Sequence, residues 1–366
     1  MHWLAVAILC LLVALAIFLG ERLRRRREEA QAYLKGVRSM ISDDSDAAIE
    51  ALSDAARLGS PEAVESYLAL GALFRRTGDL PRAIRLHRNM LLRPGLDPGR
   101  RAEVERELAD DYRRGGMLRE AAEAYRPLAE AGDRAAAEGL RDVLVEMDDA
   151  EGAVAIQRRL GHGADDRLLS HLLARLARAR LPADPEAARE AARAAVEASP
   201  GCADGLLALA EVEAARGERA GAVAAVGRAL ESEPAASLLA WPALERLGDP
   251  ALAEGLVAAR LARAPLDAAL HLLRGRLLHA QGRGAEALAA LGRALELDRS
   301  GEVTLAMRDL LREAGSPGPE ELSARHDLMV AALSRQVRSL RCRRCGASAA
   351  SRAWRCGRCG AFDAYP

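Results

Sequence analysis

Four of the six cysteines of this 366-residue chain fall in one short stretch, CRRCGASAASRAWRCGRCG, residues 342–360. Their spacing is Cys342-x2-Cys345-x10-Cys356-x2-Cys359. Two CxxC knuckles facing each other aim four thiolates at one point. That is the tetrahedral geometry of a structural metal site, with metal–sulfur distances of about 2.3 Å if zinc is bound. Iron takes the same four ligands in a rubredoxin-like arrangement, so spacing leaves iron and zinc both open. Gly346 and Gly360 follow the second cysteine of each pair and permit a tight turn that points backbone N–H groups at sulfur. A redox CxxC would not come doubled on so short a hairpin. No spare ligand, histidine or carboxylate base accompanies the four cysteines, so the site reads as structural. The expected metal ligands are Cys342, Cys345, Cys356 and Cys359, and no catalytic residue is assigned. About 25 residues cannot bury a core, so a bound metal supplies most of the folding free energy. Trp354 and Phe362 are expected to cover the site or dock it on neighbouring helices.

Whether those thiols stay free depends on the compartment, which the other end of the chain addresses. Residues 1–20 read MHWLAVAILCLLVALAIFLG, with no charge and no proline from Trp3 to Leu19. A helix of that apolar run covers roughly 26 Å, just short of a hydrocarbon core of about 30 Å. The basic cluster ERLRRRR follows the run at residues 21–27, and nothing basic precedes it. A cleaved signal peptide has the opposite order. An uncleaved transmembrane anchor is expected. Arg22, Arg24, Arg25, Arg26 and Arg27 then hold the rest of the chain on the cytoplasmic side, at a bacterial inner membrane. Such a reducing compartment disfavours disulfides.

Formal charge sums to zero, with 53 basic and 53 acidic residues, yet both ends are basic and the middle is acidic. Lys35 is the only lysine, which points to compositional bias, so arginine by itself is a weak sign of phosphate recognition. The basic ends could still lie against anionic headgroups. Only 3% of residues are aromatic, so a core must be built from Leu, Ala and Val. A helical solenoid tolerates this better than a globular domain, and few rings remain to stack bases. A nucleic-acid partner is not expected.

The middle of the chain repeats itself. In YLALGALFRRTGDLPRAIRLHRNML, residues 67–91, Leu70-Gly71 and Phe74 precede a Gly78-Asp79 turn and then Ala83. Residues 107–130 place Leu108-Ala109, Tyr112, Gly116 and Ala121 at the same offsets. Residues 206–234 carry Leu209-Ala210, Gly217, Ala222, Ala229 and Pro234, and residues 271–298 carry Gly275, Gly282, Ala287 and Ala294. This resembles the tetratricopeptide repeat, a 34-residue helix–turn–helix with small residues where its helices cross. Weaker copies fit at 29–62, 134–166, 167–200 and 235–265, the last interrupted by Pro242 and Pro250. The expected fold is all-α, a tetratricopeptide solenoid of about eight units with a concave groove for protein segments. Its parts are an anchor at 1–20, a basic juxtamembrane segment at 21–28, the solenoid at 29–313, a linker and connecting helix at 314–340, and the tetracysteine domain at 341–366. Ser316, Pro317 and Pro319 would start the connecting helix.

No phosphate-cradling loop, His-Glu-x-x-His or nucleophile–base pairing is present, and an enzyme is not expected. His87 sits where a repeat helix packs, His271 and His279 lie eight apart on one helix, and His162 stands in a loop. All read as core or surface histidines. Cys202, in a turn after Pro200-Gly201, reads as a bystander, and Cys10 lies in the expected anchor.

An anchor, a tetratricopeptide solenoid and a rubredoxin-like knuckle pair together resemble lipopolysaccharide assembly protein B of Gram-negative bacteria. The likeness is closest at residues 33–52, 70–91 and 336–362, including the run Gly78 to Ile84 and Trp354 two residues before the third cysteine. The resemblance implies a non-enzymatic regulator on the cytoplasmic face of the inner membrane. It would restrain lipopolysaccharide synthesis by promoting degradation of the lipid A-committing deacetylase by a membrane-anchored AAA protease. A scaffold that gathers lipopolysaccharide synthesis or transport proteins without proteolysis is the alternative. The family's metal ligands fall on Cys342, Cys345, Cys356 and Cys359. The chain departs from the family in its Arg-rich knuckles and Ala-rich middle repeats.

Overall fold

A computed structural model describes residues 2–41, 44–57, 64–93, 95–161, 166–298, 304, 330, 340–349 and 352–365. The side chains of residues 2–10 lie outside it, as do the expected connecting helix, Ser316, Pro317, Pro319 and His162.

The described residues form helices in chain order and end in a small two-stranded ladder. The chain divides into two units, Met1–Met147 and Asp148–Pro366. The first holds α1 (His2–Ile41), α2 (Ser45–Arg57), α3 (Val64–Thr77), α4 (Leu80–Leu91), α5 (Pro98–Arg114), α6 (Leu118–Glu130) and α7 (Arg134–Glu146). The second holds α8 (Ala150–Leu160), α9 (Arg167–Arg180), α10 (Pro185–Ala198), α11 (Ala203–Ala215), α12 (Arg219–Ser232), α13 (Pro234–Leu239), α14 (Trp241–Arg246), α15 (Pro250–Arg263), α16 (Ala268–Ala280) and α17 (Gly284–Leu297). It also holds the strands β1 (Leu340–Arg341) and β2 (Ser348–Ala349).

One alanine marks the second helix of every repeat. Ala48, Ala83, Ala121, Ala153, Ala188, Ala222, Ala253 and Ala287 are each the fourth residue of α2, α4, α6, α8, α10, α12, α15 and α17, and all are buried. A small side chain is required there because two helix backbones cross. The first helices contribute a glycine to the same crossings. A Cβ on Gly36 would meet Leu52 at 2.6 Å, and one on Gly275 would meet Leu291 at 2.7 Å. In both pairs the partner lies sixteen residues on, and Gly71 faces His87 at the same offset.

The turns and starts follow from local chemistry. Gly78 takes φ +87° past the end of α3, a conformation that costs a residue with a Cβ far more. Asp79 then caps α4, its carboxylate accepting from the Arg82 N–H at 3.3 Å. Asp97, Asp133, Asp149, Asp166, Asp184, Asp249 and Asp267 cap other helices in the same way. The irregular unit at 235–265 has a physical cause. Pro242 lacks an N–H and its ring opposes the preceding turn, so the first helix of that unit breaks into α13 and α14.

Within each unit, arginines on one first-helix reach paired acids on the next. Arg75 of α3 donates to Glu107 at 2.5 Å and Asp111 at 2.7 Å on α5. Arg113 of α5 donates to Glu146 at 2.8 Å and Asp142 at 3.3 Å on α7. In the second unit Arg178 of α9 donates to Asp204 at 2.6 Å and Glu211 at 3.1 Å on α11. His87 is fully buried and its Nδ1 lies 2.6 Å from Asp111. It is a core histidine in a polar network. His271 Nε2 donates to the Pro265 carbonyl at 2.9 Å, on the surface.

Among the described residues no helix is long and apolar enough to cross a membrane. The apolar run lies on the single long helix α1. Leu11, Leu12, Val13, Leu15, Ile17, Phe18 and Leu19 stand exposed along it.

Candidate metal centre

The two CxxC segments fold as near copies. In the first, Gly346 N–H donates to the Cys342 carbonyl and Cys342 N–H to the Ala347 carbonyl, both at 2.9 Å. In the second, Gly360 N–H donates to Cys356 at 2.9 Å and Cys356 N–H to Ala361 at 2.8 Å. Gly346 and Gly360 both sit at φ +69°, so the glycines are there for the turn. Strand pairing closes each loop: Leu340 and Arg341 pair antiparallel with Ala349 and Ser348, and Arg355 bridges Phe362. The Arg343 N–H donates to the Ala364 carbonyl at 2.7 Å and ties the first knuckle to the segment after the second.

This brings all four expected ligands together. The sulfurs of Cys342, Cys345, Cys356 and Cys359 lie within 4.8 Å of one another. Cys342 Sγ is 3.6 Å from Cys359 Sγ, and Cys345 Sγ is 3.8 Å from Cys356 Sγ. A tetrahedron with 2.3 Å bonds has edges of about 3.8 Å, whereas a disulfide needs about 2.05 Å. The cysteines are free thiols set at the separations a tetrathiolate requires. Backbone N–H groups support negative sulfur. Those of Cys359 and Arg358 hold the Cys356 thiol down at about 6 against the opposing effect of burial. Burial pushes Cys342 up, but the N–H groups of Cys345 and Arg344 outweigh it and leave it below its usual value. Burial and the neighbouring sulfurs push Cys359 up to about 12. Four sulfurs at these separations form a donor set that suits one cation at their centre. The residues fit a zinc or ferric/ferrous ion equally well.

The knuckles sit on helix α9. Trp354 and Phe362, expected to cover the site or dock it, do the second. Both rings pack on His171: the Phe362 ring stacks at 5.0 Å between centroids, 19° from parallel, and Trp354 tilts at 5.6 Å. Trp354 also packs against the buried cluster that includes Leu206, Leu207 and Leu244. His171 is buried between two carboxylates. Its Nδ1 lies 2.7 Å from Asp204 of α11, and its Nε2 lies 3.1 Å from Asp363 of the knuckle domain. Only the imidazolium can donate to both. Burial disfavours that charge, but Asp204, Asp363 and then Cys202 raise His171 to about 11. Arg167, one turn earlier on α9, donates to Asp363 at 3.0 Å and to Glu233 at 3.2 Å. Burial works against the Asp363 charge, yet His171 and Arg167 hold its carboxyl down at about 2. Asp363 adopts φ 47°, fixed there while its own N–H donates to the Trp354 carbonyl at 2.9 Å.

His171 and Asp363 were not among the residues singled out by sequence. Cys202, read as a bystander in a turn, lies in the core beside His171. It is fully buried as the residue before α11, with Sγ 3.9 Å from His171 Nε2. The side chain of Cys10 lies outside the described residues.

A family match agrees with the helical repeats. The tetratricopeptide repeat family matches residues 42–98 and 238–315. Lipopolysaccharide assembly protein B of Escherichia coli strain K12 is 27% identical over 122 residues, which is 32% of this chain and 31% of that protein. The same protein from E. coli O157:H7 matches equally. The aligned part thus spans about a third of the length of these curated relatives. Among solved structures, the TPR2AB-domain:pHSP90 complex of yeast Sti1 is 16% identical with a TM-score of 0.30, covering 84% of this chain and 98% of that one. A tetratricopeptide repeat protein from Parabacteroides merdae gives the same identity and score, covering 84% of this chain and 100% of its own. In its aligned segment, its helical repeats and its C-terminal four-cysteine cluster, the chain resembles lipopolysaccharide assembly protein B.

Proposed function

We propose that this chain is a membrane-tethered, non-enzymatic adaptor that regulates lipopolysaccharide synthesis at the cytoplasmic face of a bacterial inner membrane. The observation that carries this reading is the joining of helical repeats to a tetracysteine knuckle locked on α9, in a chain similar to lipopolysaccharide assembly protein B. Repeat helices of this kind offer extended surface to protein partners. Cys342, Cys345, Cys356 and Cys359 would hold one iron or zinc ion, which supplies folding free energy to a domain too small to bury a core. In this reading the anchor is residues 1–20, although no helix among the described residues is by itself long and apolar enough to cross a membrane. Seven large apolar side chains stand uncovered on α1 between Leu11 and Leu19, and arginines follow directly. In water that stripe would be an aggregation hazard; in lipid it is satisfied.

The partners in this reading are a membrane-anchored AAA protease and the lipid A-committing deacetylase, which the adaptor presents for degradation. The test is the half-life of the deacetylase after depletion of the chain. A longer half-life is expected. An unchanged one would sink the proteolytic role and leave the alternative, a scaffold that gathers lipopolysaccharide synthesis proteins.

A further inference from the structure

The knuckle domain carries a charge that its own fold does not use. Residues 340–365 contain six arginines and one acid, Asp363, which His171 and Arg167 already occupy. Arg341, Arg343, Arg344 and Arg358 are exposed, and none has an ion-pair partner among the described residues. Arg343 and Arg344 fill the turn between Cys342 and Cys345, and Arg358 fills the turn between Cys356 and Cys359. In the helical repeats Arg75, Arg113 and Arg178 each have two acidic partners, and exposed arginines such as Arg85 stand among many acids; the knuckle domain differs in holding one acid against six arginines.

The aromatic rings of the domain face inward. Trp354 and Phe362 lie on His171, and the Tyr365 hydroxyl reaches the Cys356 sulfur. Trp354, Phe362 and Tyr365 are all half-buried in these contacts, so the large exposed side chains here are the arginines, and that face reads charge and not sequence. Guanidinium groups bind phosphate oxygens in a bidentate fork, and juxtamembrane basic clusters are drawn to anionic lipid.

We propose that the exposed arginines of the knuckles, Arg341, Arg343, Arg344 and Arg358, bind the phosphate headgroups of the anionic leaflet that the N-terminal helix enters. This rests on the anchor reading of residues 1–20. The metal-held knuckles would then be a second contact with the membrane, at the opposite end of the chain from the first.

The full chain, reconstituted in lipid nanodiscs, tests this by amide hydrogen exchange over residues 341–346 and 356–360. Discs of phosphatidylcholine alone are compared with discs that also contain phosphatidylglycerol. Exchange is expected to slow on the order of tenfold in the anionic discs only, and to recover in high salt. The triple variant Arg343→Gln, Arg344→Gln, Arg358→Gln should lose the protection while keeping its metal content, which reports that the knuckles are folded. If the chain enters both discs and exchange is the same in each, the proposal is overturned and the anchor stands. If the chain enters neither, both fall. Protection by an added RNA oligonucleotide but not by anionic lipid would also overturn it.

Discussion

The clamp between the knuckles and α9 makes a quantitative prediction for Asp363→Asn. Asp363 sits at φ 47°, a conformation that asparagine tolerates as well as aspartate. The substitution therefore removes charge with little backbone effect. Two charge-assisted hydrogen bonds are weakened, from His171 Nε2 at 3.1 Å and Arg167 Nε at 3.0 Å. Intact bonds of this type contribute about 1.5–3 kcal/mol each. The Asp363 side chain is 37% exposed, however, so solvent screening brings the pair toward the surface range. Asparagine also keeps an acceptor oxygen. The net loss of docking is about 1–2 kcal/mol, or on the order of tenfold in the docked-to-undocked ratio. If undocking opens the metal site, a colorimetric chelator should strip the ion about tenfold faster from the variant. Trp354 emission should shift toward that of a solvated indole as its contact with His171 loosens. Repeat helicity should not change. An unchanged release rate together with an unchanged Trp354 signal would refute the idea that His171 and Arg167 hold the knuckle domain in place.

Two further outcomes follow from the same geometry. Cys356→Ser removes one of the four sulfur ligands, so metal content should fall and the knuckles should unfold while far-UV helicity is largely kept; parental metal content and parental melting would refute the structural-metal reading. Docking should also depend on pH. His171 is raised from 6.5 to about 11, so its contribution is complete below 6.5 and fades as pH rises toward 11. Asp363 is lowered from 3.8 to about 2, so its contribution is complete above 3.8 and is lost as pH falls through 2. The difference in melting temperature between the parent and Asp363→Asn should therefore shrink steadily from neutral to strongly alkaline pH. A difference that stays constant over that range would contradict an imidazolium bridge.

What could be read from residues alone follows from the range of the contacts involved. The repeat was legible because each crossing of two helices demands a small residue at a fixed place. Ala83, Ala121, Ala222 and Ala287 stand at that place, and so do Ala153, Ala188 and Ala253 in the copies that matched poorly. The unit at 235–265 looked irregular for a real reason, since Pro242 divides its first helix. The four cysteines were legible because metal knuckles are local, each closed within six residues by hydrogen bonds such as Cys342 to Ala347. The clamp was not. Arg167 lies 196 residues from Asp363, and no periodicity links them. Its faint traces were Arg167 and His171, one helical turn apart, and a lone acid in an arginine-rich tail. Repeats extend by copying short-range contacts, so any one of them resembles its neighbours. Placing the knuckles on one particular helix needs contacts that the other repeats lack. His171 supplies them, since a cation buried between Asp204 and Asp363 is satisfied only when the knuckle domain is in place. A long-range ion bridge is therefore what distinguishes α9 from the other repeat helices as the seat of the metal centre.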